Sequence, residues 1–337
     1  MHVSDAEELH RRPSIDSRGM PPVSVSVVVP SRGRRMRLRW LLNALAEQTI
    51  VEQWEVVVVH DYDSDTAARV LERHPLARAR LRHIALDPGT GSAAQKRNLG
   101  WRAAAGELIV FTDDDCRPEP DWLERLVAVA RRTGGVVQGR TRPDPFEYEV
   151  LRAPHVRTLD IEPVGPFAQT CNILYPRTLL ERLGGFDEQA LTGEDVDLSL
   201  RARALGVVTA SAAEAVVYHA VESHTLPGIL RENLKWRHLA YLVKRRPELR
   251  RELTLWVFWD AEHLRTSCAL AGLLGGRVRR WPIVLAVPYV VHASDRRGSA
   301  PLSRLVSVAE IPGQAVRQIA EVLGMVVASI RYRTLLL

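Results

Sequence analysis

Four strand-like runs, at 23–30, 55–60, 81–86 and 108–111, most of them rich in β-branched residues, alternate with helical patterns around 35–48, 64–74 and 92–105. No other feature constrains the fold as strongly. Apolar runs separated by helices predict parallel strands in a sheet covered on both faces. Ligands of such sheets bind beyond the carboxyl ends of the strands. Further strands are expected at 136–142, at 167–175 and within 207–219, with a helix at 194–205. Past about residue 226 the pattern turns helical, and its apolar stretches at 253–259, 282–291 and 323–330 fall short of the ~20 residues that a membrane span needs. Residues 1–22 are polar, end in Gly19, Pro21 and Pro22, and read as a flexible leader. At 337 residues, 46% hydrophobic and 26% charged, the chain can form one large α/β domain with an appended module. The same composition excludes disorder, collagen and coiled coil as descriptions of the whole.

The strand ends carry the candidate chemistry. His60-Asp61-Tyr62-Asp63 follows the second run, Asp87-Pro88-Gly89-Thr90-Gly91 the third, and Thr112-Asp113-Asp114-Asp115 the fourth. Asp and Gly also serve as ordinary turn and capping residues, so it is their recurrence at several strand ends that points to a polar ligand. Three adjacent carboxylates repel one another, a cost that a bound divalent cation offsets. In extended backbone alternate side chains share a face, so Asp113 and Asp115 are expected at one site with Asp114 turned elsewhere. A hard cation held by few protein oxygens leaves positions for phosphate oxygens, as expected of magnesium or manganese bound with a diphosphate. A solvated acidic turn is the competing reading.

Two further segments matter. Gly193-Glu194-Asp195-Val196-Asp197 opens a helix, where carboxylates complement the dipole or where one of them acts as a general base. Asp195 and Asp197 face different sides of that helix, so only one is expected at a shared site. Gly89-Thr90-Gly91-Ser92-Ala93-Ala94-Gln95-Lys96-Arg97-Asn98 permits close backbone approach, and Lys96 and Arg97 offer donors to anionic oxygens. Gly89, Gly91 and Ala94 also match the dinucleotide fingerprint, which keeps a nicotinamide-dependent oxidoreductase as an alternative. That fingerprint belongs to a first strand–helix turn, whereas this segment follows a later strand. No Gly-Lys-Ser/Thr phosphate loop occurs.

Taken in order, Val25-Ser26-Val27-Val28-Val29-Pro30, Asp61, the Gly91 to Gly100 loop, Gly106-Glu107-Leu108 through Asp115, Gly184-Gly185-Phe186-Asp187-Glu188 and Gly193-Glu194-Asp195 resemble the family-two inverting glycosyltransferases of the GT-A fold. The resemblance spans roughly residues 23 to 225. It implies an α/β GT-A domain, a Rossmann-like mixed sheet between helices, with a nucleotide-binding part at about 23–115, an acceptor-binding part at about 116–225 and a helical C-terminal region at 226–337. It also implies site roles. Pro30, Arg32 and Asp61 would line the nucleotide pocket, with Asp61 near the base or ribose. Arg97 or Asn98 would lie near the nucleotide or diphosphate, and Asp113 near the ribose, with Asp114 in the same nucleotide-sugar-binding set. Asp115 would ligate Mn2+ or Mg2+, and Asp195 would be the general base with Glu194 beside it. His219 falls where some members place a histidine near the metal or phosphate; a plain strand-end histidine is the other reading. One departure is His60-Asp61-Tyr62, where the family often has two acids and glycine, and it bears on the base contact and on nucleotide identity.

The implied activity is metal-dependent transfer of one sugar from a nucleoside-diphosphate sugar to a hydroxyl of an acceptor, with inversion. Processive members carry Gln-x-x-Arg-Trp together with membrane spans; Glu232-Asn233-Leu234-Lys235-Trp236 lacks the Gln and the Arg, which implies non-processive transfer. A non-catalytic scaffold of the same fold is the second alternative. Arg140, Arg142, Gln169, Thr170 and Asn172 lie where an acceptor pocket would form, or are ordinary hydrogen-bonding residues. The acceptor class, whether glycan, lipid-linked or small-molecule, stays open.

The formal charge of +6, with 43 of 46 basic residues arginine, points to anionic partners. No basic helix, zinc finger or ribonucleoprotein pattern accompanies it, so nucleic acid is not expected as a partner. Arg231, Lys235, Arg237, Lys244, Arg245 and Arg246 sit among Leu230, Leu234, Trp236, Leu239, Tyr241 and Leu242, compatible with a peripheral membrane helix, with packing on the catalytic domain, or with a homodimer contact. Trp256 and Trp259 are either interfacial or core. Cys116, Cys171 and Cys268 are too scattered for a disulfide framework, and the start of the chain, with His2, Asp5, Glu7 and Glu8, lacks a signal-peptide core. A cytoplasmic location, with or without membrane association, is therefore expected.

Overall fold

Strand β1 (Val25–Ser31) is buried along its whole length: Val25, Val27 and Val29 pack on one face of the sheet and Val28 on the other. Burial on both faces is what a continuous β-branched run requires. The computed structural model describes residues 23–298 and 300–337, so the expected leader at 1–22 lies outside the described residues. β1 pairs in parallel with β2 (Trp54–His60) and β4 (Leu108–Phe111), and β2 pairs in parallel with β3 (Leu81–Ala85). Beyond β4 the sheet is mixed. β8 (Ile173–Pro176) runs antiparallel to β4 and to β6 (Val136–Pro143); β9 (Thr209–His219) runs parallel to β6, and β5 (Cys116–Pro118) closes the edge antiparallel to β9. The order is β3-β2-β1-β4-β8-β6-β9-β5, beside a two-stranded ribbon of β7 (Val156–Arg157) and β10 (Glu222–Ser223).

One face of this sheet is covered by α1 (Arg35–Ala46), through Leu38, Leu41 and Leu42, and by α4 (Trp122–Thr133), through Trp122, Leu123 and Leu126. The helix expected at 64–74 is interrupted: α2 (Ser64–Ala67) passes into a widened turn at Ala68–Glu72. The other face carries α3 (Ala93–Ala103), α5 (Arg177–Leu183) and α6 (Glu194–Ala204), through Trp101, Leu180 and Leu198. α3 opens with a reciprocal cap: Ser92 Oγ accepts from Gln95 N at 3.2 Å, and Gln95 Oε1 accepts from Ser92 N at 3.0 Å. Its Gly100 lies directly against β1, where a Cβ would collide with Val28. The strand expected at 167–175 shortens to β8, and Gln169, Thr170 and Cys171 before it line the cavity described below.

The remaining helices are α7 (Leu226–Asn233), α8 (Leu239–Arg245), α9 (Ala261–Gly275), α10 (Val287–Ser294) and α11 (Pro301–Tyr332), with tight turns at Leu234–His238 and Trp281–Ala286. Leu239, Leu242, Val243 and Met325 close on Val196 and Leu200 of α6. The basic-aromatic segment around 230–246 is thus packed on the sheet domain through α6. Trp259 stacks on Phe167 with ring centroids 5.3 Å apart, whereas Trp256 is exposed. No described helix is long and apolar enough to cross a membrane.

Candidate active site

A cavity of about 240 Å³ opens at the carboxyl ends of β1 and β4, lined by Pro30 near the end of β1 and Arg32 just after it, Asp113 and Asp115 after β4, Glu194 and Asp195 at the start of α6, and His219 at the end of β9. Lys96, Arg97, Gln169 and Thr170 complete much of its wall. These positions converge because parallel strands deliver their ends to one side, while the antiparallel return through β9 and β5 brings a distant strand end back to it. The β5–β9 register sets His219 opposite Cys116, next to Asp115 in the chain.

The three consecutive aspartates meet three environments. Asp114 is fully buried and turned back to the end of β1, where its Oδ2 accepts from Ser31 Oγ and Arg32 N, both at 2.8 Å, and its Oδ1 accepts from Arg34 Nε at 3.0 Å. It does not line the cavity. Burial and the adjacent Asp115 charge push its carboxyl above the usual range in spite of Arg34. Asp113 accepts from Arg97 Nη2 at 2.8 Å; burial opposes its ionisation, but the Arg97 guanidinium holds it below the usual range. Asp115 Oδ2 bonds Arg34 Nη1 and lies 3.8 Å from His219 Nε2, while its Oδ1 is buried without a partner.

His219 Nδ1 lies 2.9 Å from the carbonyl of Ala220. A carbonyl only accepts, so Nδ1 carries a proton; Nε2 is the nitrogen that faces Asp115, and in the neutral ring its lone pair is available to a cation. An orphaned carboxylate oxygen beside a free imidazole nitrogen fits a divalent cation of intermediate hardness, and the site meets that test. No group of three or more His, Cys, Asp or Glu side chains able to hold a metal occurs among the described residues. Most ligands to such an ion would therefore come from solvent or substrate.

Arg97 joins the two acidic ends: it is buried, and besides Asp113 it donates to Glu194 Oε1 at 2.7 Å. Asp195 stands beside it at the first turn of α6, where Gly193 adopts φ +78°, a left-handed conformation suited to glycine. Burial and the neighbouring Glu194 charge push the Asp195 carboxyl up to about 7. Asp197 points away from the cavity and is consumed by Arg201 at 2.8 Å and Arg246 at 2.6 Å.

Two further residues singled out in the sequence lie off the cavity. Asn98 is buried behind it, donating to Phe186 O at 2.9 Å and accepting from Phe186 N at 2.9 Å and Trp101 Nε1 at 3.0 Å, so it anchors the Gly184–Glu188 turn. Asp61 accepts from Lys96 Nζ at 2.5 Å, one layer behind a lysine that does line the wall. Among the acceptor candidates, Gln169 and Thr170 line the cavity. Arg140 and Arg142 pair instead with Glu162, and Asn172 is buried, holding Arg140 O and Ala215 O. Sequence reasoning missed Arg34 and Arg157 on the wall and passed over Lys235 as a departure from a motif. Arg34 had a local signal, Arg32-Gly33-Arg34 directly after a strand; Arg157 had none. Burial and nearby Arg157 bring the Lys235 ammonium down to about 8. Six basic and four acidic side chains line the cavity, a balance suited to a polyanion accompanied by a cation.

Residues 21–238 match the model described as Glycosyltransferase like family 2. The chain belongs to that family. Its curated relatives include glycosyltransferase AglE of Haloferax volcanii, 27% identical over 193 residues that cover 54% of this chain and 62% of that protein. The pre-mycofactocin glycosyltransferase of Mycobacterium tuberculosis is 29% identical over 58% of this chain and 42% of its own. Against both of these relatives, this family 2 chain spans less than two thirds of their length. A mannosyltransferase from Pyrobaculum calidifontis, solved with GDP-Man and Mn2+, superposes with a TM-score of 0.55 at 22% identity, covering 93% of this chain and 89% of that one. The mixed sheet with its surrounding helices is the GT-A fold. Gly89 and Gly91 are accordingly part of a helix-entry loop of a family 2 domain, and the oxidoreductase alternative loses its ground.

Proposed function

We propose that this chain transfers one sugar from a nucleoside-diphosphate sugar to an acceptor hydroxyl in a single inverting displacement, with a divalent cation at Asp115 and His219. The observation that carries the reading is the pairing of an orphaned Asp115 oxygen and a free His219 nitrogen with Asp195 in the same cavity. Family membership supports the glycosyl-transfer class, and the complex of the Pyrobaculum mannosyltransferase with GDP-Man and Mn2+ supports the donor and cation classes.

In this reading Asp195 takes the proton of the acceptor hydroxyl as that oxygen attacks the anomeric carbon. A carboxyl held near 7 is matched to that task close to neutrality. Arg97 keeps Asp113 ionised and fixes Asp113 and Glu194 on either side of itself. Arg32, Lys96 and Lys235 offer donors to the anionic oxygens of the diphosphate. Magnesium or manganese, when bound, supplies Lewis-acid charge at the departing diphosphate. Pro30 and Arg32 shape the nucleotide end, with Asp61 acting through Lys96. Asn98 and Asp114 hold the loops that carry these groups. Transfer is non-processive, in keeping with the Glu232–Trp236 segment that lacks the processive motif.

The test is turnover with a panel of nucleoside-diphosphate sugars in manganese, reading released nucleoside diphosphate and the anomeric configuration of the product. An inverted product that Asp195→Asn fails to form is expected. Retention of configuration, or equal turnover in Asp195→Asn, would overturn the mechanism; nucleotide binding without any transfer would favour the scaffold.

A further inference from the structure

Up to Glu321 the polarity of α11 is reversed, and only beyond it do Val322, Met325 and Ala328 bury an apolar side. The buried positions of α11 include Ser307, Gln314, Gln318 and Glu321, while Leu302, Leu305, Leu323 and Ile330 are exposed. A helix whose outer face meets water arranges these residue types the other way. Next to it, α9 and α10 form a hairpin: Gly272 of α9 lies so close to the returning chain that a Cβ there would meet Pro282 O. Towards the tip of that hairpin Val278 is 86% exposed, Trp281 68% and Val284 57%.

Charge is equally one-sided. Residues 263–294 contain no aspartate or glutamate and four arginines, three of which, Arg277, Arg279 and Arg280, flank Val278 and Trp281 and are exposed. Arg297 and Arg304, just beyond the stretch, are paired with Glu310 and Asp295. The tip arginines have no acid in their own stretch to meet.

We propose that the α9–α10 hairpin docks the protein on an anionic lipid bilayer, with Trp281 and its aliphatic neighbours at the acyl boundary and the three arginines at the phosphates. An amphipathic surface with an arginine rim and an exposed tryptophan has the chemistry of such an interface. A second copy fits less well, since a two-fold contact through this tip sets one arginine cluster against another. Docking is independent of the transfer reading, because it needs neither donor nor turnover.

The experiment is flotation of the full chain with phosphatidylcholine vesicles, with and without phosphatidylglycerol, beside light scattering of the free protein. Binding to the phosphatidylglycerol vesicles is expected, weakened by salt. The triple variant Arg277→Gln, Arg279→Gln, Arg280→Gln should bind about a hundredfold less. Ile283→Asp with Val284→Asp should abolish binding with an unchanged thermal melt; the exposed arginine variant guards against a folding defect in this one. Equal binding to both vesicle types, binding to neither, or a dimer that the aspartate variant dissociates would overturn the proposal.

Discussion

The sheet half and the helical half of this chain treat buried charge in opposite ways. Around the sheet, charged groups gather where strands end, and some keep an unspent atom facing a cavity: Asp115 Oδ1 and Arg97 Nε are buried without partners. In the helical half the buried charges lie against one another, although His263 Nε2, Gln318 Oε1 and Tyr289 OH are without hydrogen-bond partners there too. Glu321 accepts from Arg317 at 2.7 Å, and His263 Nδ1 pairs with Asp260 at 2.8 Å while its Nε2 lies 3.6 Å from Glu321. Apolar side chains are left outside instead. Unsatisfied polar atoms on the wall of a large cavity between opposite charges suit a ligand, whereas the ion pairs inside the bundle tie one helix to the next and leave the outer face for contact.

Substitutions can break this contrast. The largest effect is expected for Asp195→Asn, which should lower turnover by about a thousandfold while leaving donor binding intact, measured by single-turnover assay and calorimetry. Next comes Arg317→Met in the helical half: it strands a buried carboxylate, and chemical denaturation should register a loss of about 3 kcal/mol with no change in donor affinity. If it altered chemistry instead, the two halves would not be separable in role.

The pH dependence is smaller and sharpens the same division. The proposed base works ionised, so kcat/KM should rise with pH until about 7 and then level off, falling about tenfold for each pH unit below that point. Stability moves the other way. A carboxyl whose folded pKa is raised holds its proton in the native state between the usual carboxylate range and about 7, so its stabilising contribution is lost as pH rises through 7. Asp195→Asn should therefore gain stability relative to the parent above pH ~8 and gain nothing below pH ~4, read from melting curves across that range. The smallest effect is expected for exposed Leu302→Ser, within about 0.5 kcal/mol in solution.

Much of the sheet half was legible because buried parallel strands leave uninterrupted β-branched runs and their ends leave acidic turns, as at Val110-Phe111-Thr112-Asp113. The alternation rule also separated Asp114 from its two neighbours. What it could not reveal was convergence: Arg34, Arg157 and Lys235 reach one cavity from segments far apart in the chain, and no local pattern records that. Asn98 misled for a related reason, since a loop amide that binds a ligand and one that binds a neighbouring turn have the same sequence context. Helix α4 and the short β5 were not anticipated, although Trp122, Leu123, Leu126 and Val127 make the apolar stripe of an amphipathic helix. In the helical half, leucines among arginines at 230–246 suit a bilayer or a protein neighbour equally; packing against α6 accounts for Leu239, Leu242 and Val243, while Leu234 is exposed.

The central claim is a donor site in which Asp115 serves a cation and diphosphate together. It is tested most directly by the thermal stability of the full chain with UDP and with GDP, each with and without manganese, in the parent and in Asp115→Ala. The account predicts stabilisation by one nucleotide only when manganese is present, worth about 2.7 kcal/mol at a hundredfold excess over Kd, and its loss in the variant. Stabilisation that ignores manganese, or that survives Asp115→Ala, would contradict it.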